Sequence, residues 1–160
     1  MRYDATVSHP QPGTPAPRFE MSADDGSIVS NDTLAGRRLV LYFYPKDDTS
    51  GCTVQACSLR DNFGRVMATG VEVFGVSPDS VSSHVRFRAK YDLPYRLLAD
   101  VGHKVAEAYG VWVEKKFAGR TYRGVERSSF IIGPDGRVEH VLARVKPIEH
   151  VDQVLEALAS

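Results

Sequence analysis

The run Leu39-Val40-Leu41-Tyr42-Phe43-Tyr44, closed by Pro45, admits few folds. It is rich in aromatic and branched side chains and far shorter than the roughly 20 residues of a membrane span. It predicts a central strand buried on both faces. The segment after it decides the architecture. Pro45 to Gly51 is a polar loop, and from Thr53 to Thr69 the residues Val54, Cys57, Leu59, Phe63, Val66 and Met67 recur at helical spacing. Gly70 suits a helix C-terminus, and Gly64 weakens the helix by roughly 1 kcal/mol relative to alanine.

The alternation continues. Val71, Val73, Phe74 and Val76 predict a strand. Ser77 and Pro78 predict the cap and first turn of a helix that runs to about Tyr91. Tyr95–Leu98 reads as a short strand and 102–109 as a short helix closed by Gly110. Trp112 to Gly124 reads as a basic, glycine-containing loop, and two strands, 125–132 and 138–145, flank the turn Gly133-Pro134-Asp135-Gly136. Pro147 predicts the start of a terminal helix with Ile148, Val151, Val154, Leu155 and Leu158 on one stripe. Near the N-terminus, residues 1–13 read as a flexible arm. Pro15, Pro17, Phe19 and Met21 then predict a short edge strand that turns at Asp24–Ser27 into Ile28-Val29. Strand–helix alternation implies parallel pairing and the late hairpin adds an antiparallel pair. The expected fold is α/β: a mixed central sheet flanked by helices, of thioredoxin-like type, with an N-terminal hairpin extension. Residues 14–160 form one domain, without repeats or a linker.

Charge and cysteine count narrow the function. Twenty Lys plus Arg balance twenty Asp plus Glu. Zero net charge argues against nucleic acid or an anionic membrane surface as partner. No signal peptide is expected at the N-terminus. Two cysteines do not make a disulfide scaffold, which points to a cytoplasmic protein whose cysteines serve chemistry.

Cys52 stands where the buried strand, after a short loop, gives way to a helix. Unpaired N–H groups and the positive end of the helix dipole favour a thiolate there, and the thiolate is the nucleophile. Position alone also fits a buried, inert cysteine. Cys57 lies five residues on, on the apolar stripe. In an ideal helix two such Cα atoms are about 9 Å apart, beyond the roughly 7 Å limit for a disulfide. The sulfurs can pair only if the first turns unwind; otherwise Cys57 is a core residue.

The loop Pro45-Lys46-Asp47-Asp48-Thr49-Ser50-Gly51-Cys52 contains Pro-x-x-x-Thr-x-x-Cys. Here the chain resembles the peroxiredoxins. Residues 42–62 (YFYPKDDTSGCTVQACSLRDN) are very similar to the bacterioferritin-comigratory, or Q-type, branch, and the resemblance extends from about Pro15 through Gly110-Val111-Trp112 and Arg127–Ile132. It implies that Cys52 is the peroxidatic cysteine. Thr49 would hold a peroxide oxygen, Pro45 would shield the thiolate, and Arg127 would favour the thiolate and bind the peroxide. It also implies that Cys57 resolves the sulfenic acid as an intrachain disulfide, which thioredoxin or a similar dithiol then reduces. The substrates would be hydrogen peroxide and organic hydroperoxides. No metal, haem or flavin is called for, and a monomer suffices. Many relatives carry proline where this chain has Ser50, and serine can still cap the helix.

The remaining residues with chemical potential read more plainly. Asp47 and Asp48 are expected as a solvated loop. His9, His84, His103, His140 and His150 are scattered, without metal-ligand spacing to the cysteines. Trp112 and Phe117 read as core or loop anchors, and Lys115, Lys116, Arg120 and Arg123 as a solvated basic surface. Two other functions stay open from the residues alone. A thiol–disulfide oxidoreductase more often uses Cys-x-x-Cys, and a redox sensor would report oxidation without turnover.

Overall fold

The computed structural model describes residues 8–160. Its strands and helices, in chain order, are β1 (Glu20–Ala23), β2 (Ile28–Ser30), β3 (Leu39–Phe43), α1 (Ser50–Asp61), α2 (Phe63–Met67), β4 (Glu72–Ser77), α3 (Val81–Tyr91), β5 (Arg96–Ala99), α4 (Lys104–Ala108), β6 (Trp112–Phe117), β7 (Arg120–Val125), β8 (Ser128–Ile132), β9 (Val138–Leu142) and α5 (His150–Ala159). Seven strands form one sheet in the order β2-β1-β5-β4-β3-β8-β9. β3, β4 and β5 are parallel, whereas β8 runs antiparallel to β3 and β1 antiparallel to β5. This is the mixed, helix-flanked sheet that the alternation predicts.

β3 is buried along its whole length, as its unbroken apolar run requires. Its side chains divide the core in two. Leu39, Leu41 and Phe43 pack with Phe19, Met21, Phe74, Phe130 and Tyr109 on one side. Val40, Tyr42 and Tyr44 pack with Cys52, Ala56, Leu59, Phe87, Val151 and Val154 on the other, beneath α1, α3 and α5. Tyr42 and Tyr95 join hydroxyls at 2.8 Å, and Tyr95 donates on to the Ala56 carbonyl of α1 at 3.1 Å. Burial keeps both phenols protonated by pushing their pKa values up.

Several expectations are corrected. The N-terminal strand is not an edge: β1 lies between β2 and β5, and Pro15 and Pro17 precede it, so they remove no donor from its ladder. The 53–69 helix begins earlier, at Ser50, and is two pieces. Asn62 breaks it (φ −112°, ψ 14°) and its side-chain amide donates to the Ser58 carbonyl, a local bond that apolar periodicity does not register. Ser80, not Ser77, caps α3 by accepting from the Ser83 N–H; Ser77 ends β4 and bonds Asp79.

The basic stretch after Trp112 is not a loop. It is a two-stranded antiparallel ribbon, β6–β7, outside the main sheet. Phe117 near its tip is 75 % exposed and anchors nothing, while Trp112 stacks flat on His103 with ring centroids 3.8 Å apart. The strand expected over 125–132 is interrupted at Glu126-Arg127. The terminal helix starts at His150, which leaves Ile148 off the buried stripe and 74 % exposed.

Residues 1–7 of the expected arm lie outside the described residues. From Ser8 onward the chain touches the domain. Gly13 N–H donates to the Val138 carbonyl, Ala16 N–H to the Gly136 carbonyl, and His9 pairs with Glu126 at 2.9 Å. No helix among the described residues is long and apolar enough to cross a membrane.

This packing predicts two outcomes. A Cβ on Gly75 in β4 would lie 2.8 Å from Leu97 and 2.9 Å from the Tyr42 ring and hydroxyl. Gly75→Ala is expected to cost ~1–3 kcal/mol, seen as a lower urea midpoint at constant m-value. The second concerns His150, which is fully buried and bonds the Ser129 hydroxyl at 2.7 Å. Burial, and secondarily the Arg127 guanidinium, push its pKa down from 6.5 to about 3. The unfolded chain therefore takes up a proton at His150 below pH 6.5 that the folded chain refuses until about pH 3. Stability is retained above 6.5 and falls by ~1.4 kcal/mol per pH unit as pH drops through that window. Urea titrations at pH 7, 6 and 5 should show a flatter loss in His150→Gln than in the parent.

Candidate active site

Cys52 lies in the first turn of α1, behind a loop that begins at the C-terminal end of β3. The backbone turns into the helix through Asp48, whose left-handed conformation (φ 57°) short acidic and amide side chains tolerate. Thr49 is the N-cap residue by backbone geometry, with no side-chain cap bond; its hydroxyl donates instead to the Lys46 carbonyl at 3.0 Å. Ser50 is the first helical residue and not the cap. The N–H groups of this first turn have no partner within the helix, and no acidic side chain stands among them. Cys52 is 2 % exposed.

Arg127 arrives from the far side of the sheet. The antiparallel register pairs Phe43 with Ser128, so the residue before Ser128 stands just past the end of β3, at the mouth from which the loop leaves. Its backbone carbonyl there accepts from Val145 N–H at 2.9 Å. The guanidinium donates through Nη1 to Cys52 Sγ at 3.3 Å and to Gln55 Oε1 at 2.6 Å. Gly51 makes room: a Cβ there would sit 3.3 Å from Arg127 Nη2 and 3.4 Å from Pro147 Cγ.

The structure thus brings Cys52 and Arg127 together. Pro45 is half-buried and Thr49 exposed, both on the loop leading to the thiol. Cys57 is half-buried, unpaired and in the same unbroken helix as Cys52. Sequence patterning misses Gln55. It is fully buried, one turn after Cys52, and its Nε2 has no partner. The available signal was a polar residue three positions after the thiol and therefore on the same helix face. It also misses Lys115, half-buried on the β6–β7 ribbon. Burial, and secondarily the neighbouring Arg127, hold its amine below the ordinary lysine range.

Asp47 is not solvated. It is buried, and with Asp79 and His84 forms the group of potential metal ligands found among the described residues. Their polar atoms are taken up by internal bonds: Tyr44 to Asp47 at 2.5 Å, His84 to Asp47 at 2.7 Å and Ser77 to Asp79 at 2.6 Å. Asp48 does meet solvent and holds Lys90 and the Tyr91 hydroxyl.

A buried thiol facing a guanidinium at a helix start, with free N–H donors beside it, suits nucleophilic attack by sulfur and then stabilisation of a leaving oxyanion. Comparison with known proteins agrees. Residues 12–141 match the model of the AhpC/TSA family. Peroxiredoxin Bcp of Escherichia coli (strain K12) is 46 % identical over 146 residues, covering 91 % of this chain and 94 % of that protein. Peroxiredoxin Bcp of Bacillus subtilis (strain 168) is 43 % identical, covering 91 % and 93 %. The solved structure of Xanthomonas campestris peroxiredoxin Q superposes with a TM-score of 0.85 at 34 % identity, over 96 % of each chain. A structure of the X. campestris bacterioferritin comigratory protein, described for its alkyl peroxide reduction activity, gives 0.84 at 33 % identity over 96 % and 97 %. The chain belongs to the AhpC/TSA family and is a thiol-dependent peroxidase of the Bcp, or Q-type, peroxiredoxins.

Proposed function

We propose that Cys52 is the peroxidatic cysteine, supported above all by the 3.3 Å contact between its sulfur and Arg127 Nη1. The thiolate attacks the terminal oxygen of a hydroperoxide. The S–O bond forms, the O–O bond breaks, sulfur is oxidised to sulfenic acid and the alkoxide or hydroxide leaves and takes a proton from solvent. Charge builds on that leaving oxygen, where Arg127 and the first-turn N–H groups of α1 stabilise it. Thr49 holds and Pro45 shields the reacting atoms at the loop surface. Gln55 is a positioning residue, because its side-chain oxygen fixes the guanidinium. Substrates are hydrogen peroxide and organic hydroperoxides.

Cys57 resolves the sulfenic acid. Its sulfur attacks Cys52 Sγ, a disulfide forms and water leaves. Two residues five apart in an intact helix stand too far from each other for this bond, so α1 unwinds through its first turns. The disulfide is then reduced by thiol exchange with thioredoxin or a similar dithiol. Because both cysteines are in one chain, a monomer completes the cycle. Residues 14–160 form the peroxidase domain, and the cytoplasm, which keeps thiols reduced, is its compartment.

Stopped-flow mixing with hydrogen peroxide tests the assignment. Cys52→Ser is expected to abolish fast oxidation. Cys57→Ser should oxidise once at the parent rate and stop, with sulfenic acid trapped at Cys52; steady turnover of Cys57→Ser with thioredoxin would remove Cys57 from the cycle. Arg127→Lys keeps the charge but loses the planar fork, and should slow the first step by about 10²-fold. Activity on disulfides without peroxide would instead favour an oxidoreductase. Oxidation at the rate of an ordinary thiol would favour a sensor.

A further inference from the structure

Asp47 lies midway between Pro45 and Thr49, and its side chain points into the protein. Oδ1 accepts from the Tyr44 hydroxyl at 2.5 Å. Oδ2 accepts from the Ser83 hydroxyl at 2.8 Å and faces His84 Nδ1 at 2.7 Å. Its backbone N–H donates to Asp79 Oδ2 at 2.8 Å, which also accepts from the Ser77 hydroxyl. The side chains of His84 and Asp47 are 0 % and 3 % exposed.

The other ring nitrogen of His84 identifies the state of this pair. Nε2 lies 3.0 Å from the Leu98 carbonyl oxygen. A carbonyl only accepts, so Nε2 carries hydrogen. A neutral ring would then leave Nδ1 with a lone pair, aimed at a carboxylate oxygen in a dry site. The two would repel with no water to separate them. Ser83 and Tyr44 give their protons to Asp47 and supply none between it and the ring. One proton therefore lies between Nδ1 and Oδ2, on the ring or on the carboxyl, and it closes the bond in either case.

We propose that His84, by holding Asp47 through this proton-bridged bond, is a positioning residue for the peroxide-reactive loop. The inference rests on the assignment of Cys52 as the reacting thiol. The loop spans only Pro45 to Thr49 before α1 begins. It is moored to α3 at two consecutive residues, inside by His84 and Ser83 on Asp47, and outside by Lys90 and Tyr91 on Asp48. The exposed mooring is weak in water. The buried one has strict geometry and fixes where the left-handed turn at Asp48 begins, hence where Thr49 and the first-turn N–H groups stand relative to Cys52. Misplacing such groups by about 1 Å is enough to cost a large factor in rate. The mooring also ends at Asp48, so unwinding of α1 starts downstream of it and leaves Pro45 in place.

The experiment separates the two chemical steps. In His84→Leu the donor to Asp47 is gone, and the rate constant for Cys52 oxidation by hydrogen peroxide is expected to fall by about tenfold or more, while the later step from sulfenic acid to disulfide keeps its rate. His84→Asn places a side-chain N–H where Nδ1 stands; it should recover most of the first-step rate while still lacking the bond to Leu98. Parent-like oxidation in His84→Leu, or no recovery in His84→Asn, overturns the proposal. Should His84→Leu not fold, the parent protein still decides. Its ¹⁵N–¹H spectrum at neutral pH is expected to show hydrogen on Nε2 and a bridging proton coupled to Nδ1, and a bare Nδ1 overturns the proposal. Cys52→Ser is the control. If it still reacts quickly with peroxide, the thiol assignment fails and carries the proposal with it; if it is inert and His84→Leu is normal, only the positioning role fails.

Discussion

The contact between the Cys52 sulfur and the Arg127 guanidinium is the constraint around which the rest is arranged. A sulfur anion almost sealed from water has lost most of its hydration and needs fixed charge and donors in return. Arginine supplies both without titrating, but a guanidinium is useful only if it is held still. Gln55 holds it from α1, and the start of β8 holds its backbone. The antiparallel placement of β8 beside β3 is what makes this possible. It sets the start of one strand against the end of the other, so residues 75 apart in sequence meet at one mouth. A parallel neighbour would deliver its C-terminal end there, and the arginine would have to come from a loop.

The same helix that activates Cys52 opposes the second step of the proposed cycle. With both cysteines in α1, one sulfur stays out of reach of the other while the helix stands. The helix is not held evenly. Its middle and C-terminal half are tied to the body by Tyr95 at Ala56 and by the Arg60 guanidinium at the Tyr91 carbonyl. Its first turn has no side-chain cap and exposes Thr49, Ser50 and Val54. Opening therefore costs least at the N-terminal end, which is where the oxidised sulfur must move. Local stability within one helix is graded in the direction the chemistry needs.

The fold was legible where burial alone sets the pattern. The Leu39–Tyr44 run, the strand–helix alternation after it and the 133–136 turn each point to the sheet that forms, and the Pro-x-x-x-Thr-x-x-Cys motif pointed to Cys52. The errors share a cause. Asn62 splits a helix, and Ser80 replaces Ser77 as cap, through side-chain to backbone bonds that periodicity cannot see. The β6–β7 ribbon was hidden because neither of its faces is buried, so its alternation of Lys, Phe, Arg and Tyr carries no apolar period. The reach of Arg127 to Cys52 is a fact of register, and no local window of sequence contains it.

Polar residues read as surface are the ones most consistently misplaced, and their positions are not random. Each of the three parallel strands is succeeded by an acidic side chain turned inward: Asp47 after β3, Asp79 after β4 and Asp100 after β5. The backbone leaves the sheet there and its N–H groups lose their ladder partners. Asp79 takes the N–H of Asp47, Asp100 takes those of Val105 and Ala106, and Asp47, its own N–H satisfied, is free to bind Ser83 and His84. The carboxylates thus do for the strand ends what caps do for helices. Because reactive loops leave from those same ends, the bonds that finish the sheet also determine where the thiol stands.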